Sequence, residues 1–375
     1  MLFVRSEDLK TGMRLARPIY NKNGVLLYER NSKLTRQGIE SIKNFGLIGI
    51  FILEPAEPVP PMTQADIEFE RFQTMCVFSI QEELDRILQT RRTARMLAIA
   101  SEIIKNYGHL DKKLNFIQNL RSKEDYIYKH SLNVAILCAM MTHVLNMRVD
   151  EQLETVQAAL VHDIGKLMAP GNIIEKKEWT DEEWAQVRAA ETAGLDLIDS
   201  VYSSSPNIKR ICAQARKVLG SMRTGEDILA VKMVNGAKVL AVAEQFDTMT
   251  AMQTMQEPVS EIAALKHLLE YPQIYEDKAV DALIKSVNIL APGVSVELNT
   301  GEKALVITAN EQNVLRPVIL MFQDNSVIDL SDERMYGDLE IKDIMKTMDN
   351  RYVMDMDLLK RTQAETRKGR ETLQS

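Results

Sequence analysis

The residues best suited to chemistry lie in the run 160–166, where a histidine and an aspartate stand side by side. His162 offers an imidazole nitrogen and Asp163 a carboxylate oxygen, ligands that suit Mn, Fe, Zn or Mg. In a helix the two side chains diverge by about 100°, yet a long imidazole and a short carboxylate can converge on one ion. Lys166 then lies on the same face as His162, where it can meet a phosphate. The run indicates metal-assisted phosphate chemistry, and the alternative is a solvated polar helix end.

The composition of the chain excludes several other classes of protein. Its 375 residues are 45% hydrophobic and 26% charged, which is typical of a globular protein with two or three folded units. A formal net charge of -7 provides no overall attraction for a nucleic acid polymer or an anionic lipid surface. The three cysteines lie far apart and form no CxxC pair, so they indicate neither a zinc knuckle nor a disulfide framework. A metal site must therefore draw on the five histidines.

Hydropathy along the chain predicts the cellular location. No apolar run reaches the roughly 18 residues of a membrane-spanning helix. The first ten residues lack the basic and apolar parts of a signal segment. We therefore expect no membrane span and a cytoplasmic protein.

Residues 1–53 have the pattern of a small β-rich domain. Two short strand candidates, 14–20 and 25–29, flank an Asn-Gly hairpin signal. A short helix is expected at 35–45, and an apolar strand at 47–53 closes the domain.

Proline then marks a boundary, and a long helical region follows. Residues 54–63 contain four prolines, which predict a semi-rigid linker. From 64 to 290 the apolar residues recur with helical period. We divide this region into connecting helices at 64–114 and a helical domain at 115–290. Thr180 and Glu183 form a predicted capping box at a helix start.

The C-terminal part changes to the alternating pattern of strands. Three strand candidates, 294–298, 304–309 and 314–322, predict a small β extension over 291–330. Pro317 restricts the last candidate to a sheet edge. Residues 331–375 are predicted to be a polar tail.

Three stretches in fixed order carry a family resemblance. They read EDYIYKHS at 124–131, HDIGK at 162–166 and GAKVLAVAEQFDTMT at 236–250. Together they resemble the HD superfamily of metal-dependent phosphohydrolases, and specifically the HD-GYP branch, whose members hydrolyse cyclic di-GMP. The resemblance spans roughly 115–290. It implies a mainly α fold: a helical HD-type bundle with a small β-rich N-terminal domain and a short β C-terminal extension.

The resemblance also implies a ligand set for one metal ion. The family positions are retained by four residues: His130, His162, Asp163 and Glu244, the last replacing a family aspartate. Other family positions are changed. Tyr126 replaces a glutamate, Ala190 a histidine, Gln214 and Ala215 a pair of histidines, Arg216 an acid, and Met222-Arg223-Thr224 the Gly-Tyr-Pro signature. These losses leave no evident ligands for a second ion, so we expect a degenerate site with one divalent metal at most.

Three functions remain compatible with the sequence. The first is a non-catalytic sensor or scaffold of bacterial cyclic-dinucleotide signalling, which binds a cyclic dinucleotide or another phosphate compound through Lys166 and Arg216 and acts with a signalling protein partner. The second is an active one-metal phosphohydrolase of the phosphodiesterase class, with Asp163 and Lys166 as catalytic residues. The third is a structural helical interaction module in which the His-Asp pair is a remnant. Metal content separates the third from the others, and turnover separates the first two. The sequence leaves the oligomeric state open.

Overall fold

The computed structural model describes residues 2–20, 25–53, 63–116, 118–174, 179–224, 232–252 and 257–345. Over these ranges the chain is mainly α-helical with two small β regions, as predicted. The helices are α1 (Arg36–Asn44), α2 (Gln64–Thr90), α3 (Met96–Tyr107), α4 (Tyr126–Val144), α5 (Val149–Val161), α6 (Gly171–Ile174), α7 (Asp181–Val201), α8 (Pro206–Thr224), α9 (Asn235–Thr250), α10 (Glu261–Glu270), α11 (Asp277–Ser286) and α12 (Glu333–Tyr336). The strands are β1 (Leu2–Arg5), β2 (Arg14–Leu15), β3 (Ile19–Tyr20), β4 (Leu26–Tyr28), β5 (Gly49–Leu53), β6 (Ser295–Leu298), β7 (Lys303–Thr308), β8 (Val318–Met321), β9 (Val327–Asp329) and β10 (Ile341–Ile344).

The chain divides into two compact units. The larger holds Phe3–Ile52 together with α2 to α11, and the smaller holds the described residues from 288 to 345. The hairpin turn expected at 21–24 and the proline-rich linker, up to residue 62, lie outside the described residues. The domain boundaries drawn from the sequence therefore stay predictions.

The N-terminal β region follows the predicted order of elements. A three-stranded sheet has the order β1-β5-β2, and β3 pairs antiparallel with β4. The side chain of Thr35 caps α1 by accepting a hydrogen bond from the Gly38 amide at 3.0 Å. Leu15, Ile42 and Ile50 are at most 1% exposed and belong to one apolar cluster beneath the sheet.

This β region is hydrogen-bonded to the chain just before α4. The Ile48 amide donates to the Arg121 carbonyl at 2.9 Å. The Arg17 guanidinium donates to the Gln118 carbonyl at 2.8 Å. The segment that precedes the functional site is thus held by the β region at two points.

Helix α4 is the centre of the helical bundle. Its residues from Ser131 to Thr142 are all buried, because α2, α3, α5, α9 and α11 pack around it. A helix that is mostly apolar around its circumference is stable only in such an enclosed position. The predicted capping box at the start of α7 is confirmed, with Thr180 and Glu183 each accepting from the other's backbone amide.

The smaller unit contains an antiparallel five-stranded sheet of order β10-β6-β7-β8-β9. The edge position expected from Pro317 is wrong, because β8 lies between β7 and β9. Pro317 directly precedes the first residue of β8, so its missing N–H removes no ladder hydrogen bond. Strand β10 comes from the stretch expected to be polar tail and pairs with β6.

Candidate metal centre

Three elements of the bundle bring the predicted site residues together. His130 lies in the second turn of α4, His162 and Asp163 follow the end of α5, and Glu244 lies in α9. These helices pack against one another in the bundle. Ligands far apart in sequence are thereby carried by buried helices and by the turn that directly follows one of them.

The His-Asp pair does not lie inside a helix, as the sequence argument assumed. Helix α5 ends at Val161, His162 is its C-terminal cap residue, and a 3-10 helix continues over Ile164–Met168. The turn tightens at this point, and the Lys166 ammonium comes within 2.6 Å of Asp163 Oδ2. The sequence predicted that Lys166 lies on the same helix face as His162. In the structure Lys166 instead forms a direct ion pair with Asp163.

Within the described residues, His130, His162 and Asp163 form a cluster suited to a metal ion. One ligand atom from each lies within 4.8 Å of the others. His130 Nε2 is 3.5 Å from Asp163 Oδ2, and His162 Nε2 is 3.7 Å from Asp163 Oδ1. All three side chains are at least nine-tenths buried. Three of the four predicted ligands thus converge on one place.

Both imidazoles have their Nε2 atom on the side of the Asp163 carboxylate and their Nδ1 atom hydrogen-bonded elsewhere. His130 Nδ1 is 2.6 Å from Asp247 Oδ2, and His162 Nδ1 is 2.8 Å from the Ala159 carbonyl. The Nε2 atoms of both rings are buried and have no hydrogen-bond partner. A buried polar atom without a partner is costly, and a divalent cation would satisfy both nitrogens. The donor set of two imidazoles and a carboxylate fits Mn, Fe or Zn.

Charge in the cluster favours the protonation states that a metal requires. Burial lowers the pKa of His162 to about 4; the negative charge of Asp163 opposes this shift, and the positive charge of Lys166 supports it. Burial alone would raise the pKa of Asp163, but Lys166 and the two histidines outweigh it and hold that pKa well below its usual range. A neutral imidazole and an ionised carboxylate are the forms that bind metals.

Glu244, the fourth predicted ligand, stands apart from the cluster of three. Its carboxylate is not among the groups that lie within 4.8 Å of one another. Its Oε2 atom is buried without a hydrogen-bond partner. Burial raises the pKa of Glu244, the charges of Asp163 and Glu191 raise it further, and Lys166 opposes them. Glu244 is thus an adjacent acid whose electrostatic partner is Lys166.

Behind His130 lies a buried polar network that no sequence motif predicted. Asp247 is fully buried and its two oxygens accept hydrogen bonds from the Arg121 guanidinium at 2.8 and 2.6 Å. Gln118 and Asn133 each donate an amide hydrogen to Asp247 Oδ1 at 3.0 Å. The available signal was the position of Asp247, one turn after Glu244 on the same helix.

Tyr126, at the position of a family glutamate, contributes an aromatic face. Its ring stacks on the His130 ring at a centroid distance of 6.0 Å and an angle of 13°. The Arg121 guanidinium lies 5.0 Å from the centre of the Tyr126 ring. An arginine and a tyrosine thus occupy the surroundings of His130 where the resemblance places an acidic ligand.

The changed positions 214–216 lie on α8 and are engaged in contacts outside the cluster. Arg216 forms an ion pair with Glu191 at 2.8 Å and also donates to the Arg188 carbonyl at 3.3 Å. Gln214 accepts a hydrogen bond from the Val234 amide at 2.9 Å, and Ala215 is buried. Arg216 therefore faces an acid of α7.

No helix in the described part of the chain combines the length and the apolar character needed to cross a membrane.

Comparison with protein families finds one matching model. Residues 114–280 match a model described as an HD domain. The match begins before α4, ends within α11 and contains His130, His162 and Asp163.

Two named relatives match the chain, the first over most of its length and the second over about half. A protein named cyclic di-GMP phosphodiesterase PA4108, from Pseudomonas aeruginosa, is 22% identical over 275 residues, which are 72% of this chain and 66% of that protein. A protein named cyclic di-GMP phosphodiesterase PdeB, from Borreliella burgdorferi, is 21% identical over 215 residues, which are 56% of each chain. The chain thus spans less than two thirds of the length of either relative.

A solved structure is also similar. Its title is Bd1817, an HDG"Y"P protein from Bdellovibrio bacteriovorus. It is 13% identical in sequence to this chain, with a TM-score of 0.41. The aligned region covers 75% of this chain and 97% of the solved chain.

Proposed function

We propose that this chain, which belongs to the HD superfamily and within it to the HD-GYP branch, is a non-catalytic sensor or scaffold that holds one divalent metal ion at most. His130, His162 and Asp163 would hold the ion, and Glu244, whose carboxylate stands apart from these three, is the fourth ligand that the sequence predicts. When bound, the ion supplies Lewis-acid charge that polarises a phosphoryl oxygen.

The single observation that carries the proposal is the ion pair between Arg216 and Glu191. The family resemblance puts an acidic ligand for a further cation at position 216, and this chain has a guanidinium there. A guanidinium has donors only and no lone pair for a cation, so it cannot replace the acid as a ligand. The pairing with Glu191 also withdraws one of the carboxylates close to Glu244. A second cation is therefore disfavoured.

The loss of a second cation removes a large part of the catalytic stabilisation that a phosphodiester requires. Cleavage places negative charge on both the attacked phosphoryl group and the leaving oxygen. Lys166 is the cation next to the cluster, and its ammonium is bound to Asp163. A deficit of about 5–6 kcal/mol slows turnover by about 10⁴-fold.

The ligand class follows from the relatives, whose names specify cyclic di-GMP. We propose that a cyclic dinucleotide, or another compound with a phosphate group, is bound here without being cleaved. Lys166 and Arg216 are the cations that would meet its phosphates. A signalling protein partner and a cytoplasmic location belong to the same proposal.

A second candidate function is an active one-metal phosphohydrolase. The observation in its favour is the pair of buried Nε2 atoms at His130 and His162, which face the same place as Asp163. In that case Asp163 and Lys166 would be catalytic, with Lys166 balancing the phosphate charge.

A turnover assay distinguishes the two candidates. Purified protein is incubated with cyclic di-GMP and Mn²⁺ or Fe²⁺, and the linear dinucleotide is quantified by chromatography. We expect none above background, while a calorimetric titration of the same sample reports whether the dinucleotide binds. Turnover above about one per second, abolished in Asp163→Ala, would establish the enzyme and refute the non-catalytic proposal.

A variant with restored ligands tests the physical reason. The triple change Gln214→His, Ala215→His and Arg216→Asp returns the residue types that the family resemblance assigns to these positions. We expect it to bind more metal per chain than the unmodified protein, whereas Lys217→Asp, on the same helix, should not. Equal metal content in the triple variant and the unmodified protein would show that position 216 does not limit the number of ions.

A further inference from the structure

The proposed metal site requires a particular neutral form of His130. A neutral imidazole carries its proton on one ring nitrogen and has a lone pair only on the other. A metal at the cluster needs the lone pair on Nε2, the atom that lies 3.5 Å from Asp163 Oδ2. The proton must therefore be on Nδ1.

We propose that Asp247 is the positioning residue that fixes this form of His130, by accepting the Nδ1 proton in a hydrogen bond to Oδ2. The distance between Nδ1 and Oδ2 is 2.6 Å, and both side chains are at most 1% exposed. A carboxylate accepts and does not donate. This proposal rests on the proposed function and deepens it. The position of the His130 proton matters only if a metal binds at Nε2.

Four donors fix the Asp247 carboxylate itself. Arg121 Nη2 contacts both oxygens, at 2.8 Å to Oδ1 and 2.6 Å to Oδ2. Gln118 Nε2 and Asn133 Nδ2 donate to Oδ1, each at 3.0 Å. His130 Nδ1 is the fourth donor, at Oδ2. No water is needed to satisfy the carboxylate, and its rotation would break several of these bonds at once.

The charge of Arg121 keeps Asp247 in the accepting form. Arg121 is fully buried, and its guanidinium carbon lies over the Tyr126 ring. Arg121 Nη2 lies 2.6 Å from Asp247 Oδ2 and both side chains are 0% exposed, so the two groups form a close buried ion pair. Arg121 is thus the counter-ion of a buried acceptor whose function is to orient an imidazole.

An asparagine at position 247 would reverse the proton arrangement of His130. Its amide oxygen would take the place of Oδ1, where three donors from Arg121, Gln118 and Asn133 converge. Its NH₂ group would then take the place of Oδ2 and donate to His130 Nδ1. The ring would have to accept at Nδ1 and carry its proton on Nε2, which removes the lone pair from the metal side.

The decisive experiment is nitrogen NMR of the full chain labelled with ¹⁵N-histidine. Long-range proton–nitrogen correlations distinguish the two neutral forms of imidazole, and a chain with five histidines gives few signals. The His130 signals are assigned as those lost in His130→Gln. In chelator-treated protein we expect His130 to carry its proton on Nδ1, and in Asp247→Asn on Nε2.

A binding titration completes the test. We expect the affinity for Mn²⁺ to fall about 10- to 100-fold in Asp247→Asn, the usual effect of losing the partner of a ligating histidine. The matched control is Asp281→Asn, the same chemical change at an exposed residue of α11 that pairs with Lys285. It should leave the His130 spectrum and the Mn²⁺ affinity unchanged.

Either of two results would overturn the proposal. One is an unmodified protein whose His130 carries its proton on Nε2, a measurement that needs no variant to fold. The other is a folded Asp247→Asn chain with the original His130 spectrum. Both concern metal-free protein, so they are distinct from a failure of the proposed function, which appears as absent metal binding or as rapid turnover in the unmodified chain.

Discussion

The backbones of Gly165 and Gly194 pass each other so closely that a Cβ atom on Gly194 would lie 2.5 Å from the Gly165 Cα. A Cβ on Gly165 would likewise lie 2.6 Å from the Glu191 Cα. The contact joins the middle of α7 to the 3-10 helix Ile164–Met168, which carries Lys166. Helix α7 thereby sets the position of the turn that follows Asp163.

We predict that Gly194→Ala destabilises the protein and weakens its metal binding. The added methyl group meets backbone, which cannot move aside as a flexible side chain can. The free energy of unfolding should fall by about 1–3 kcal/mol or more, as measured by urea denaturation. The affinity for Mn²⁺ should fall in the same variant, because the turn bearing Asp163 and Lys166 is displaced.

The matched control for this prediction is Gly220→Ala in α8. No heavy atom lies within 4 Å of a Cβ at Gly220, so only the backbone effect of replacing a helical glycine remains. We expect the free energy of unfolding to rise by about 0.5–1 kcal/mol in Gly220→Ala. Similar losses in both variants would show that the close contact at Gly194 is not the cause.

The number of bound metal ions is the second prediction. Protein purified without chelator should contain one transition metal ion per chain at most, as measured by elemental analysis. His162→Ala should lose it, because water replaces a buried imidazole poorly as a ligand. His143→Ala is the control, since His143 is partly exposed and contacts Asp111 rather than the cluster. Two or three ions per chain in the unmodified protein would contradict the prediction.

The third prediction concerns Glu83, whose buried carboxylate holds the start of α3. Its Oε2 accepts from the amides of Ala94 and Arg95 at 3.0 and 2.9 Å and from the Thr93 hydroxyl at 3.0 Å. Burial alone would raise the pKa of Glu83, but these hydrogen bonds outweigh it and the pKa is lowered. A lowered pKa means that the ionised form stabilises the fold.

The stabilisation by Glu83 should depend on pH with a definite sign. It is fully present above the pKa of an unfolded glutamate, about 4.3, and is lost as the pH falls through the lower folded value. Glu83→Gln should therefore cost about 1–3 kcal/mol at pH 7 and progressively less below about pH 4. Glu82→Gln, at a neighbouring side chain that is 71% exposed, should cost little at any pH. A Glu83→Gln cost that is constant from pH 7 to pH 3 would contradict this account.

Limited proteolysis tests the linker predicted at 54–63. We expect cleavage near its prolines and a stable fragment that begins around residue 64. The N-terminal piece should stay bound to that fragment in size-exclusion chromatography, because Ile48 and Arg17 are hydrogen-bonded to residues just before α4. Resistance to proteases would argue against an exposed linker, and a separate N-terminal piece would show that these contacts are weak.

The sequence alone determined the class of fold and the order of its elements. Helical period and the capping box of Thr180 and Glu183 act within a few residues, and the structure confirms their result. The error at Pro317 has the same origin, since the residue is unsuited to a central strand but acceptable just before one. The order of the motifs also predicted that His130 lies near His162 and Asp163, because the resemblance implies a known type of helical bundle. In the structure the three side chains do lie together.

Only the tertiary structure decided which of the charged side chains pair with one another. Arg121 and Asp247 are 126 positions apart, and no local pattern signals that they form a buried pair behind His130. The end of α5 at Val161 redirects Lys166 to Asp163, and packing of α7 against α8 gives Arg216 the partner Glu191. These outcomes depend on distances between atoms of different helices, and such distances exist only once the helices have packed.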